Sequence, residues 1–133
     1  MELWDAYKED GTPAGCHLVR GEEIPDGLFH LVSEVIVRHV DGSFLLMQRD
    51  LKKPNSPGLY EATAGGSVLA GESPYDAAIR ELKEETGIEA LKLEQIYKYA
   101  GKNTIFYGYL CITGCDKDSI TLQEGETISY LWL

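Results

Sequence analysis

Residues 65–88 read GGSVLAGESPYDAAIRELKEETGI, and everything else in the chain is best read outward from this stretch. Ser73 can cap a helix N-terminus, and Pro74 suits the first helical position. Asp76, three residues on, stands where a capping-box carboxylate would. Gly87 suits the left-handed position that ends a helix. These signals predict a helix over residues 73–86, with Tyr75, Ala78, Ile79 and Leu82 as its apolar stripe. Glu81, Glu84 and Glu85 fall within a sector of about 100° beside that stripe. Like charges at this spacing repel by roughly 0.2–0.5 kcal/mol per pair. A solvated acidic face is one reading. Three carboxylates sharing a hard divalent cation, such as Mg²⁺, is the other.

The residues before the helix favour the second reading. Gly66, Glu72, Arg80, Glu81, Leu82, Glu84, Glu85, Gly87 and Ile88 occupy every specified position of the pattern G-x5-E-x7-R-E-U-x-E-E-x-G-U, where U is aliphatic. A chance match at one starting point is on the order of 10⁻⁹ or less at average composition. The pattern is the Nudix box, and the chain resembles the Nudix family from residue 66 to 88. The strands on either side also fit the family's layout.

The resemblance implies that Glu81, Glu84 and Glu85 bind Mg²⁺ or Mn²⁺. It implies that Arg80 pairs with Glu72 to brace the loop against the helix. Gly66 would let the backbone approach the metal and offer its carbonyl. A further metal-binding glutamate is expected before the last strand, where Glu126 stands six residues ahead of Trp132, with Glu124 as neighbour. The implied reaction is hydrolysis of a diphosphate joined to another group, with water attacking phosphorus. The general base is the glutamate matching Glu81 in some members and a residue outside the box in others.

Elsewhere the chain alternates strands and turns. LWDAYKEDGTPAGCHLVR reads as two short strands around Asp10-Gly11 and Pro13. LVSEVIVRHV, Asp41-Gly42 and SFLLMQR read as a tight hairpin. LYEATAGG is a short strand, LEQIYKYA and TIFYGYLCI are two more around Gly101, and ISYLWL is the last. The expected class is α+β, a Nudix fold with a mixed sheet between helices in an α/β/α sandwich, as one domain over residues 1–133. The family's helix after the Trp-containing strand has no counterpart before Leu133.

Trp4-Asp5, Gly15, Arg20, Phe29-His30 and QRDLKKPNSPGLYEATAGG resemble a Nudix subgroup related to isopentenyl diphosphate isomerase. There an Arg-x3-Lys pair contacts diphosphate, and Arg49 and Lys53 have that spacing. The isomerase's Thr-Cys-Cys-Ser-His run is replaced by Tyr60-Glu61-Ala62-Thr63-Ala64-Gly65-Gly66, which lacks the acid needed to protonate an alkene. The expectation is therefore a hydrolase. The alternatives are an isomerase-like enzyme and an inactive ligand-binding module. Substrates in view include nucleotide sugars, dinucleotides, oxidised nucleotides, coenzymes and isoprenoid diphosphates.

Composition narrows the partners. A net charge of −10 opposes binding to a nucleic-acid polymer, and no apolar run approaches a membrane span. The N-terminus lacks a signal-peptide pattern, and Cys16, Cys111 and Cys115 form no disulfide framework. The expectation is a cytoplasmic protein with buried, reduced thiols, acting on a small diphosphate and forming a homodimer as the family default. His30 reads as a structural histidine. Tyr97, Tyr99, Phe106, Tyr107 and Tyr109 read mainly as sheet packing, with one or two available to the cleft.

Overall fold

The computed structural model describes all 133 residues, Met1–Leu133. Strands β1 (Leu3–Tyr7) and β2 (Pro13–Val19) form an antiparallel pair, with Leu3 opposite Val19. Strand β3 (His30–His39) alternates sides, burying Leu31, Ser33, Val35 and Val37. Strands β4 (Leu45–Arg49), β5 (Tyr60–Glu61) and β6 (Thr63–Ser67) follow, then helix α1 (Pro74–Thr86). Strands β7 (Glu94–Ala100), β8 (Thr104–Thr113) and β9 (Thr127–Trp132) complete the chain.

A four-stranded sheet has the order β6-β3-β8-β7, and a three-stranded sheet the order β5-β4-β9. Strand β3 runs parallel to β8 and antiparallel to β6, so the larger sheet is mixed. The α+β class with a mixed sheet is as expected. The chain contributes one helix, α1, to the layers that flank it. The main core joins Val35, Val37, Leu45, Met47, Ala64, Ala78, Leu82, Tyr109 and Cys111, drawing both sheets and the helix together.

Helix α1 begins and ends where its caps predict. The Ser73 hydroxyl accepts from the Asp76 N–H at 3.0 Å, which is one half of a capping box. Gly87 takes φ 80° and donates to the Lys83 carbonyl, a conformation that a Cβ would strain. The helix is docked through Ser33, buried in β3, whose hydroxyl donates to the Pro74 carbonyl at 2.7 Å. The buried face is rotated from the predicted stripe. Ala77, Ala78, Leu82 and Thr86 are buried, while Tyr75 lies at the margin, 39% exposed, and packs edge-on against Tyr109.

The predicted β3–β4 hairpin needs correction. The turn forms, with Gly42 donating to His39 and His39 to Ser43. Pairing then stops at a single bridge, Arg38 to Phe44. Both edges of β3 are already taken by β6 and β8, so β4 turns away and pairs with β5 and β9. The thiol expectation is also corrected at one position, since Cys16 is exposed.

Candidate functional site

A cleft of about 680 Å³ opens beside β6, between the loop before α1, the second half of α1 and the loops flanking β4 and β9. Seven carboxylates and four cations line it. The carboxylates are Glu2, Glu34, Glu61, Glu81, Glu84, Glu85 and Glu126, and the cations are Arg20, Arg49, Lys53 and Arg80. Only Val32 and Leu69 are apolar lining residues in a bulky sense, so the cleft suits a polar ligand.

Arg80 is the hub of the helix side. Its Nε and Nη2 donate to the two oxygens of Glu72 at 2.7 and 2.9 Å, a bidentate grip. Nη2 also donates to the Ser67 carbonyl at 3.2 Å, and Nη1 to Glu81 at 2.8 Å and Glu84 at 3.3 Å. Glu72 further accepts from the Leu69 N–H at 3.0 Å. The hydrogen bonds from Arg80 hold the Glu72 carboxyl below its ordinary range, and Glu72 in turn raises Arg80 further. The loop between β6 and α1 is thus clamped to the helix that follows it.

Glu81 and Glu85 are recessed. Burial pushes the Glu81 carboxyl up, opposed by Arg80. Burial also pushes Glu85 up, to about 8, with Glu81, Glu126 and Glu61 adding to it and a 3.0 Å hydrogen bond from the Gly65 N–H opposing. A carboxyl raised this far, with three carboxylates around it, marks a place where negative charge has been concentrated. Gly66 abuts it, because a Cβ there would lie 2.8 Å from a Glu81 oxygen.

The opposite wall carries the cations. Lys53 is ion-paired with Glu126, and the Asp50 N–H donates to the Glu126 carbonyl at 2.9 Å. Arg49 reaches Glu61 at 3.3 Å and the Asn55 carbonyl at 2.8 Å. The cleft therefore brings together Gly66, Arg80, Glu81, Glu84, Glu85, Glu126, Arg49 and Lys53. Glu72 stands behind Arg80, and Glu124 is not among the lining residues.

Sequence reasoning missed Glu2, Arg20, Glu34 and Glu61. Glu34 carried a signal: it interrupts an otherwise apolar face of β3 between Val32 and Ile36. It lies opposite Gly65 in the sheet and accepts from the Tyr97 hydroxyl at 2.9 Å. Of the aromatics, Tyr109 is core, Tyr99 stacks on Phe106 at 4.7 Å, and Tyr97 is the one bonded to a cleft residue. His30 stacks on Trp4 at 4.2 Å and bonds to the Thr104 hydroxyl, as a structural histidine would.

The donors are carboxylate oxygens in net excess over the cations, which suits a hard divalent ion. No three of these side chains converge as a coordination shell while Arg80 holds Glu81 and Glu84 and Lys53 holds Glu126.

A family model described as NUDIX domain matches residues 28–133. The chain is 38% identical over 88 residues to "Uncharacterized Nudix hydrolase lmo0368" of Listeria monocytogenes, covering 66% of this chain and 52% of that protein. It thus spans about half the length of that relative. It is 28% identical over 144 residues to an isopentenyl-diphosphate Delta-isomerase of Corynebacterium diphtheriae, covering 100% of this chain and 79% of the isomerase. The crystal structure of DR0079 from Deinococcus radiodurans superposes with a TM-score of 0.81 at 19% identity, over 99% of this chain and 83% of that one. No helix here is long and apolar enough to cross a membrane.

Proposed function

The chain belongs to the Nudix family, and we propose that it hydrolyses the diphosphate linkage of a nucleoside diphosphate joined to another group. The observation that carries this reading is the cleft itself. Seven carboxylates against four cations would repel a diphosphate unless further positive charge entered with it. Glu81, Glu84, Glu85 and Glu126 would hold Mg²⁺, with the Gly66 carbonyl beside them, and Mn²⁺ has the same preference for oxygen. Bound there, the metal would neutralise charge developing on the phosphate oxygens.

The chain's own residues account for the rest. Arg49 and Lys53 lie on the cation wall and would exchange Glu61 and Glu126 for diphosphate oxygens. Arg80 keeps its bidentate hold on Glu72 and so fixes the loop that follows Gly66 into α1. Glu81, recessed in the cleft at the position that serves as base in some family members, would take the proton from the attacking water. We read residues 1–27 as part of the same domain, because the Ala70 N–H donates to the Leu3 carbonyl and the Gly71 N–H to Asp5.

The match to the isomerase across the whole chain favours a second reading, an isopentenyl diphosphate isomerase-like enzyme. Against it, none of the 20 lining residues is a Cys or His, and the two bulky apolar ones, Val32 and Leu69, offer little wall for an isoprenoid tail.

The test is phosphate release with Mg²⁺ across nucleoside triphosphates, nucleotide sugars, dinucleotides and isopentenyl diphosphate, for wild type and Glu85→Gln. Hydrolysis of one class, lost in the variant, supports the hydrolase. Double-bond migration in isopentenyl diphosphate without hydrolysis would replace it with the isomerase.

A further inference from the structure

The N-terminal strands contribute to the cleft from outside the family-matched segment. Glu2 and Arg20 line it, as do Val32 and Leu69. They are held there by backbone pairing. The Arg20 N–H donates to the Glu2 carbonyl at 3.0 Å, and the Leu3 carbonyl accepts from Ala70 at 2.9 Å in the loop before α1. The Asp5 carboxylate accepts from the Gly71 N–H at 2.8 Å, a second latch.

The Trp4 Nε1 and the Arg20 Nη1 both donate to the same Glu2 oxygen, Oε2, at 2.8 and 3.1 Å. This leaves Glu2 Oε1 free to accept. It also leaves the Nε and Nη2 of Arg20 free to donate. Trp4 is itself immobilised, buried and stacked on His30. An acceptor and a planar set of donors side by side match two adjacent hydroxyls, one donating and one accepting.

Position along the cleft separates this pair from the phosphate end. Strand β6 lines one stretch of the cleft through Thr63, Gly65, Gly66 and Ser67, and the chain continues past it to Leu69. Gly65 is bonded to Glu85, whereas the chain beyond Leu69 is tied through the Ala70 N–H to Leu3, the neighbour of Glu2. A diphosphate set among Glu85, Arg49 and Lys53 would direct its attached group along β6, over Val32, toward Arg20.

We propose that Glu2 and Arg20 form a specificity subsite for a vicinal diol, that of a sugar or ribose attached to the diphosphate. The proposal rests on the hydrolase reading for the position of the diphosphate. Its chemistry excludes an isoprenoid group, which has no hydroxyls to offer.

The experiment compares UDP-glucose with inorganic diphosphate in wild type, Arg20→Ala and Glu2→Gln, with Mg²⁺ present. Binding is read by calorimetry and turnover by phosphate release. Each variant is expected to weaken UDP-glucose binding about tenfold, leave inorganic diphosphate within about twofold, and melt at the wild-type temperature. Equal losses on both ligands, or no loss on either, would overturn the subsite. UDP-glucose bound by wild type with that variant pattern but left intact would overturn the hydrolase reading alone. No binding of UDP-glucose by wild type would overturn the subsite.

Discussion

The guanidinium of Arg80 grips the carboxylate of Glu72 through two hydrogen bonds, 2.7 and 2.9 Å long, across the loop that enters α1. One residue lies in the loop and the other in the second turn of the helix, so the bond fixes how the loop leaves β6. Glu72→Gln removes the charge and one of the two acceptor oxygens. It should destabilise the fold by about 1–3 kcal/mol, because Arg80 is left partly unpaired in a recessed site. Turnover should fall, though less than in Glu85→Gln. Urea unfolding and initial rates measured together check this. An unchanged midpoint would mean that the clamp contributes nothing to stability.

Glu85 makes the metal-free protein sensitive to pH. Burial raises its carboxyl from 4.5 to about 8. Between those values the folded chain retains a proton that the unfolded chain has released, so folding takes up a proton. Stability must therefore fall as pH rises through that window, and level off above it. Glu81 is raised too and acts in the same direction. Thermal melts in chelator should show a lower midpoint at about pH 9 than at about pH 5, with a shallower slope for Glu85→Gln. Added Mg²⁺ should restore stability chiefly at the higher pH. Identical slopes in wild type and variant would remove Glu85 as the source.

Gly66→Ala should separate function from folding. The new Cβ meets the end of the Glu81 side chain, which can move, rather than backbone. The midpoint should stay near wild type while turnover falls by up to about 10²-fold, since a displaced carboxylate misaligns the site. Parallel loss of stability and activity would point instead to a packing defect.

Lys53→Ala should raise KM for the diphosphate substrate by roughly tenfold to hundredfold, with a smaller change in kcat. The variant also frees Glu126, now ion-paired with Lys53, so Mg²⁺ affinity should rise slightly. Steady-state kinetics over a range of Mg²⁺ concentrations read both effects. An unchanged KM would exclude Lys53 from the phosphate subsite.

Much of the fold was legible because its signals are local. The caps of α1, the turn at Gly101 between β7 and β8, and the final strand each follow from neighbouring residues. The β3–β4 hairpin was misread for a non-local reason. Asp41-Gly42 does make its turn, but β3 had no free edge left to pair with β4. The rotation of the buried face of α1 toward Ala77 likewise reflects a second apolar cluster, Phe29, Leu31, Val68 and Ile105, that no helix-only pattern could reveal.

The sequence by itself determined the helix, its acidic face and the arginine one turn from Glu84, because residues three or four apart on a helix are neighbours whatever surrounds them. Tertiary structure alone decided that Glu2 and Arg20 at the ends of the first strand pair, Glu34 in β3 and Glu61 in β5 would face the same cleft, and that Gly66 would abut Glu81. Their placement depends on which strand edges remained free to pair and which faces could be buried, and those are settled only when the sheets assemble.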